Sequence, residues 1–431
     1  MEILKADDPG VREKLKAFEQ QMASRSEISE RVVKILKDVE THGDAALFEL
    51  TEKFDGVVLN ADTMKVSQEE LDAGYDSLSE DEIKNILRSK AQIEDFHRHT
   101  IPEDWKAENG DGATVGERFY PIHAVGLYIP GGSVPLVSSV LMSAVLAKMA
   151  RNPRIAVVTP PLPDGSIAPG MLAALKICGI TEIYKVGGAQ AIAALAYGTE
   201  MIPAVDKIFG PGNAYVLEAK RQVFGQVGVD LLPGPSEVAI VADDSANPAW
   251  VAADLLAQAE HGSGKERVML MADSEELIGK IREEVDKQIP ACTHRGTIRK
   301  VLDERCLTLV FEKLSDAAAV LNQFAPEHLE LQMKKESIEF LTRYVTTAGA
   351  MLLGHHTPAV LGDFIAGPSH TLPTGGAGRF MSGMRLTDYL RRTSVVHYGA
   401  ENLKSAAPVV KTFSRLEQLD AHGNSLEIRL S

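Results

Sequence analysis

The chain has 431 residues, 60 acidic against 45 basic, and a formal net charge of −15. That length exceeds the usual size of one hydrophobic core, so two or more domains are expected. The negative charge, with aromatics at only 6 %, excludes nucleic acid as a partner, because a duplex-binding surface needs positive charge and base stacking needs rings.

No apolar run reaches the length of a membrane span, so no membrane partner is expected. Residues 1–8 have no basic segment followed by an apolar one, so no signal peptide is expected. The three cysteines, Cys178, Cys292 and Cys306, have no CxxC spacing and are odd in number. That excludes a disulfide framework and fits a reducing cytoplasm. Cys178 ends the apolar run 171–177 and reads as a small core residue rather than a nucleophile.

Residues 8–98 read as helical. Runs 11–21 and 28–41 carry apolar residues at three-to-four spacing. Run 44–54 follows and stops at Asp55-Gly56, and run 81–97 follows the capping residue Ser79. From about residue 124 short apolar runs alternate with helical ones, which is the pattern of a parallel sheet with crossovers. Glycines fall between strand and helix at Gly131-Gly132, Gly187-Gly188 and Gly210-Pro211-Gly212, where open α/β sheets bind ligands. A second alternating set runs from residue 250 to 353.

The expected fold class is therefore α/β. It has two Rossmann-like parallel-sheet domains, incomplete because no GxGxxG is present, plus N-terminal helices and a C-terminal helical tail. The expected division is 1–25 as an N-terminal helical segment, then 26–123 with 238–380 as a discontinuous first α/β domain. Residues 124–237 form an inserted second domain. Residues 381–431 form a tail with too few apolar residues for its own core, which must dock on its own or a partner subunit.

Candidate chemistry is scattered along the second half. Asn247-Pro248 opens a helix, and Gln258 and His261, three apart, fall together near its end before Gly262. They can ligate a metal or merely bond local carbonyls. Asp363 stands in a loop of small residues, and His422 lies near the chain end. One amide, two imidazoles and one carboxylate suit Zn²⁺ with room for substrate, although sequence spacing cannot show that the four converge. Glu327-His328, held by Pro326 at the start of a strand, is either a proton-transfer pair or a surface glutamate beside a buried histidine. His370, in a turn-rich loop, either touches substrate or caps a carbonyl. Ser236 offers a hydroxyl before a strand, where Gly234 permits close approach of a ligand.

Several long motifs resemble the histidinol dehydrogenase family. They include Tyr128-Ile129-Pro130-Gly131-Gly132, Gly187-Gly188-Ala189-Gln190-Ala191, Gly210-Pro211-Gly212-Asn213 and Gly234-Pro235-Ser236-Glu237. They continue with Gln258-Ala259-Glu260-His261, Ala325-Pro326-Glu327-His328-Leu329, His370-Thr371-Leu372-Pro373 and Asp420-Ala421-His422. The resemblance implies oxidation of L-histidinol through L-histidinal to L-histidine with two NAD⁺. It implies Gln258, His261, Asp363 and His422 as Zn²⁺ ligands and Glu327 with His328 as the acid/base pair. Ser236, His370 and Glu417 are implied as substrate contacts, together with His328 and the metal ligands. Tyr128, Gln190 and Asn213 are implied as NAD contacts. It also implies a homodimer in which exchanged tails carry Glu417 and His422 to the neighbouring site. The alternative is a relative that oxidises another small alcohol, such as a sulfonated diol. The chain departs from the family pattern at Ser133–Val137, at Leu232-Pro233 and at His355-His356.

Overall fold

The computed structural model describes residues 3–8, 10–20, 25–131, 135–261 and 264–431. The turn residue Gly132, part of the run 133–137, the stop at Gly262 and the last residue of the run 11–21 lie outside them. Among the described residues, fourteen strands occur in chain order. They are β1 (Ile3–Lys5), β2 (Trp105–Glu108), β3 (Thr114–Pro121), β4 (Ala124–Tyr128), β5 (Arg154–Val158), β6 (Glu182–Tyr184) and β7 (Lys207–Phe209). They continue as β8 (Gly228–Val229), β9 (Glu237–Ala242), β10 (Arg267–Ala272), β11 (Cys306–Val310), β12 (His328–Gln332), β13 (Ala350–Leu353) and β14 (Leu390–His397).

Two parallel sheets result, as expected from the alternation of strands and helices. One has six strands in the order β1-β11-β10-β9-β12-β13, the other five in the order β6-β5-β4-β7-β8. Their strands read as continuous apolar runs because both faces are covered. In β9 and β10, Val238, Ile240, Val268 and Leu270 face helices Pro248–Ala259, Glu275–Gln288 and Arg295–Glu304. Their neighbours Ala239, Val241, Met269 and Met271 face helices Val11–Gln20 and Leu314–Phe324. The two-residue period of a strand thus divides one run between two cores. Among the described residues, no helix is long and apolar enough to cross a membrane.

Three expectations are corrected. The segment 1–25 is not wholly helical, since Ile3–Lys5 pairs in parallel with β11 as an edge strand. Three residues are too few to show a period. The helices of 26–123 do not join the six-stranded sheet. Val32, Leu36 and Leu47 pack with Ile192 and Ile208 in one core of the five-stranded sheet, and Leu71 and Ile93 pack in the other. The six-stranded sheet already has both faces covered by its own crossovers and by helix Val11–Gln20, so it leaves no apolar face for them. The third concerns the tail, which is not only helical. β14 pairs antiparallel with β3, and β3 with β2, in a third sheet on the same chain. These strands are mostly exposed and polar, so no buried face announces them.

Candidate active site

Helix Leu314–Phe324 ends at Ala325, whose φ of 49° is left-handed, and Pro326 then turns the chain into β12. Glu327 and His328 sit at the amino end of that strand, 7 % and 5 % exposed. The reading of Glu327 as a surface residue is therefore overturned. Its Oε2 accepts from the Ser236 hydroxyl at 2.6 Å and from the Glu237 backbone N–H at 2.8 Å. Burial pushes its carboxyl above the usual carboxylate range, against the pull of His328 and of the Ser236 hydroxyl.

The His328 ring lies between two carboxylates. Nδ1 is 3.8 Å from Glu327 Oε2, and Nε2 is 3.7 Å from Asp363 Oδ1. Asp363 stands on a short helix, Ala359–Phe364, rather than in a loop. Its carbonyl oxygen accepts from His370 Nδ1 at 3.1 Å. A carbonyl can only accept, so Nδ1 carries the proton and Nε2 accepts from the Ser139 hydroxyl at 3.2 Å. Burial lowers the His370 pKa against the pull of Asp363, which keeps the ring neutral. Glu237 pairs with Arg267 and accepts from Gly375 N at 2.9 Å, fixing the His370 loop to β9.

Ser236, Glu327, His328, Asp363 and His370 are thus brought together. Gln258 lies in the last turn of helix Pro248–Ala259, and His261 lies just beyond it, exposed. Glu417 and His422 are exposed on the tail. Among the described residues neither side chain makes a polar contact with the cluster.

The cluster lies at the amino ends of β9 and β12. It faces the carboxyl end of β4, because Ser139 belongs to helix Val137–Met149, which follows β4. Tyr128 ends β4, and its hydroxyl accepts from Gly188 N at 3.2 Å. Burial pushes that hydroxyl up to about 12, so it stays neutral. Gln190 is buried beside Gly188. Gly210 has φ 111°, and a Cβ there would collide with the Tyr128 carbonyl oxygen. Lys220, fully buried and paired with Asp230, donates to Gly210 O at 2.9 Å, and Gly210 N donates to Asp230 Oδ2 at 2.7 Å. Asn213 Oδ1 caps helix Ala214–Val223 by accepting from Tyr215 N and Val216 N. The turns after β6 and β7 thus meet Tyr128 at the end of β4, and Ser139 of the next helix joins that sheet to the Glu327–His328 cluster through His370.

A match of the histidinol dehydrogenase family model covers residues 18–430. A histidinol dehydrogenase of Synechococcus sp. is 46 % identical over 398 residues, covering 92 % of this chain and 91 % of the relative. The chain belongs to the histidinol dehydrogenase family. A second member, from Agrobacterium fabrum, is 42 % identical over 422 residues, 96 % of this chain and 97 % of that protein. The crystal structure of the histidinol dehydrogenase from Elizabethkingia anophelis superposes with a TM-score of 0.92. It is 34 % identical and covers 97 % of this chain and 96 % of that one.

By residue type Gln258, His261 and Asp363 suit a divalent cation of borderline character, although among the described residues no group of three His, Cys, Asp or Glu side chains is placed to hold one. Gln258 is buried, and its Nε2 has no hydrogen-bond partner. Turning the amide over would present its oxygen instead, whose lone pair can bind a cation. An amide, an imidazole and a carboxylate leave one place for a fourth donor. Sequence reasoning missed Ser139, which reaches His370, the half-buried Asp254 and the buried Glu330. Its available signal was a glutamate inside the apolar strand His328–Gln332.

Proposed function

We propose that this chain oxidises L-histidinol through L-histidinal to L-histidine, four electrons in all, with NAD⁺ and Zn²⁺. The observation that carries the reading is the buried Glu327–His328 pair, Glu327 held by the Ser236 hydroxyl and His328 set against Asp363, in a chain so similar to named histidinol dehydrogenases. Gln258, His261 and Asp363 would hold the metal, with His422 of a second copy as the fourth donor. Zn²⁺ supplies a fixed anchor for the imidazole and amine of the substrate, and NAD⁺ accepts the hydride.

His328 takes the alcohol proton on Nε2, the ring atom that faces Asp363. Glu327, once ionised, draws a proton from the water that hydrates the aldehyde, and His328 acts again in the second oxidation. Ser236 holds Glu327 and stands with His370 and Glu417 as a substrate contact. Burial of the pair keeps bulk water from competing for these protons. Tyr128, Gln190 and Asn213 line the side that would receive the cofactor.

The tail supports a homodimer with exchanged tails. Val409, Phe413 and Leu416, more than half exposed, share one face of helix Ala400–Leu416 and need a cover. All three cysteines are free, which suits a reducing cytoplasm. The test is incubation with NAD⁺ and histidinol. Two NADH and one histidine per histidinol are expected; absence of NADH alongside turnover of another small alcohol would reject the reading.

A further inference from the structure

Three elements carry the residues assigned to metal and proton: helix Pro248–Ala259 with Gln258, β12 with His328, and helix Ala359–Phe364 with Asp363. Directly behind each lies a polar group. Asp254 precedes Gln258 by four residues and shares its helix face. Glu330 follows His328 by two and shares its strand face. The N–H of Ala359 lies one helical turn before Asp363.

These three groups meet. Ala359 N donates to Glu330 Oε1 at 2.7 Å. Gln332 Nε2 donates to Asp254 Oδ2 at 2.6 Å and to Glu330 Oε2 at 3.3 Å. Glu330 and Gln332 are 1 % and 2 % exposed, and Asp254 is half-buried. Two carboxylates so placed cannot both ionise without strong cost. Burial, then the charge of Asp254, pushes Glu330 up to about 8, so one proton is shared between the two acids near neutrality.

We propose that Asp254, Glu330 and Gln332 are positioning residues that lock the Gln258 helix, the His328 strand and the Asp363 helix at the spacing a divalent cation requires. The inference rests on the reading of Gln258 and Asp363 as metal ligands. Neither acid needs to touch metal or substrate. Their hydrogen bonds fix the elements from behind, as outer partners of metal ligands do.

The test uses the zinc-loaded enzyme and follows transfer of Zn²⁺ to a coloured chelator, with KM and kcat for histidinol. In Glu330→Gln the amide oxygen still accepts from Ala359 N, and its NH2 can donate to Gln332 Oε1, which is otherwise unpartnered, once that amide turns, so release within about threefold of the parent is expected. In Glu330→Ala release should quicken by about tenfold or more, and KM should rise more than kcat falls. If that variant does not fold, Asp254→Ala, at a half-buried position, carries the same expectation. A folded Glu330→Ala or Asp254→Ala enzyme that releases zinc at the parent rate overturns the proposal. Asp363→Ala separates the two readings. If it leaves release unchanged, the ligand assignment is wrong; if it loses zinc while Glu330→Ala keeps it, only the positioning role fails.

Discussion

Glu327 and His328 are adjacent, yet their atoms face different partners: the carboxylate is anchored to the start of β9, and the ring reaches towards Asp363. His328→Asn keeps a smaller polar side chain but removes the base. NADH formation should fall by about 10²–10⁴-fold, with zinc content unchanged on metal analysis. Glu327→Gln should slow histidinal oxidation more than histidinol oxidation; equal loss in both steps, measured with each substrate, would refute the water-activating role. Because burial raises the Glu327 pKa, the aldehyde step should gain rate with pH through a value above the usual carboxylate range, and Glu327→Gln should remove that limb. Glu330 gives a stability prediction. Its folded pKa, about 8, lies above its unfolded one. Protonated Glu330 therefore stabilises the fold fully below the ordinary carboxylate pKa, and that stability is lost as pH rises through about 8. Melting temperature should fall as pH rises from about 4.5 to about 8, and less so in Glu330→Gln.

Loops after strands in the five-stranded sheet are set by short-range rules. Asn213 caps helix Ala214–Val223, directly after the Gly210 turn. Asn213→Ala should cost about 1 kcal/mol in denaturant unfolding, as loss of an N-cap does. If Asn213 also touches the cofactor, KM for NAD⁺ should rise beyond what the stability loss explains. Gly210→Ala should destabilise by about 2 kcal/mol or more, since φ 111° disfavours any side chain and the Cβ meets the Tyr128 carbonyl. Strand and helix alternation from residue 124 onward was legible because both sheets are buried on both faces, which makes their strands plainly apolar. The ribbon of β2, β3 and β14 was not legible. It is largely exposed, neither of its faces is plainly apolar, and its β3–β14 pairing joins segments more than 250 residues apart.

A complete site needs a second copy if His422 is its fourth donor. A mixture of His422→Ala and Glu327→Gln subunits, each inactive alone, should then recover activity. Random pairing makes half the dimers mixed, and each mixed dimer holds one intact site of two. Recovery should therefore approach about a quarter of the parent. No recovery on dissociation and reassembly would place His422 in the site of its own chain. Removal of residues 399–431 should leave β14 paired with β3 but abolish zinc retention and dimerisation, read by metal analysis and light scattering.

The residue types that can do this chemistry, and the alternation that builds parallel sheets, were fixed by the order of amino acids alone. Local periodicity and long ungapped motifs do not depend on what lies far away in the chain. Which sheet the helices of 26–123 cover, that Glu327 is buried, and that Asp254, Glu330 and Ala359 join behind the site were decided only by tertiary structure. Each depends on which apolar face remains uncovered once all the others have paired, and on polar groups meeting across strands that are distant in sequence.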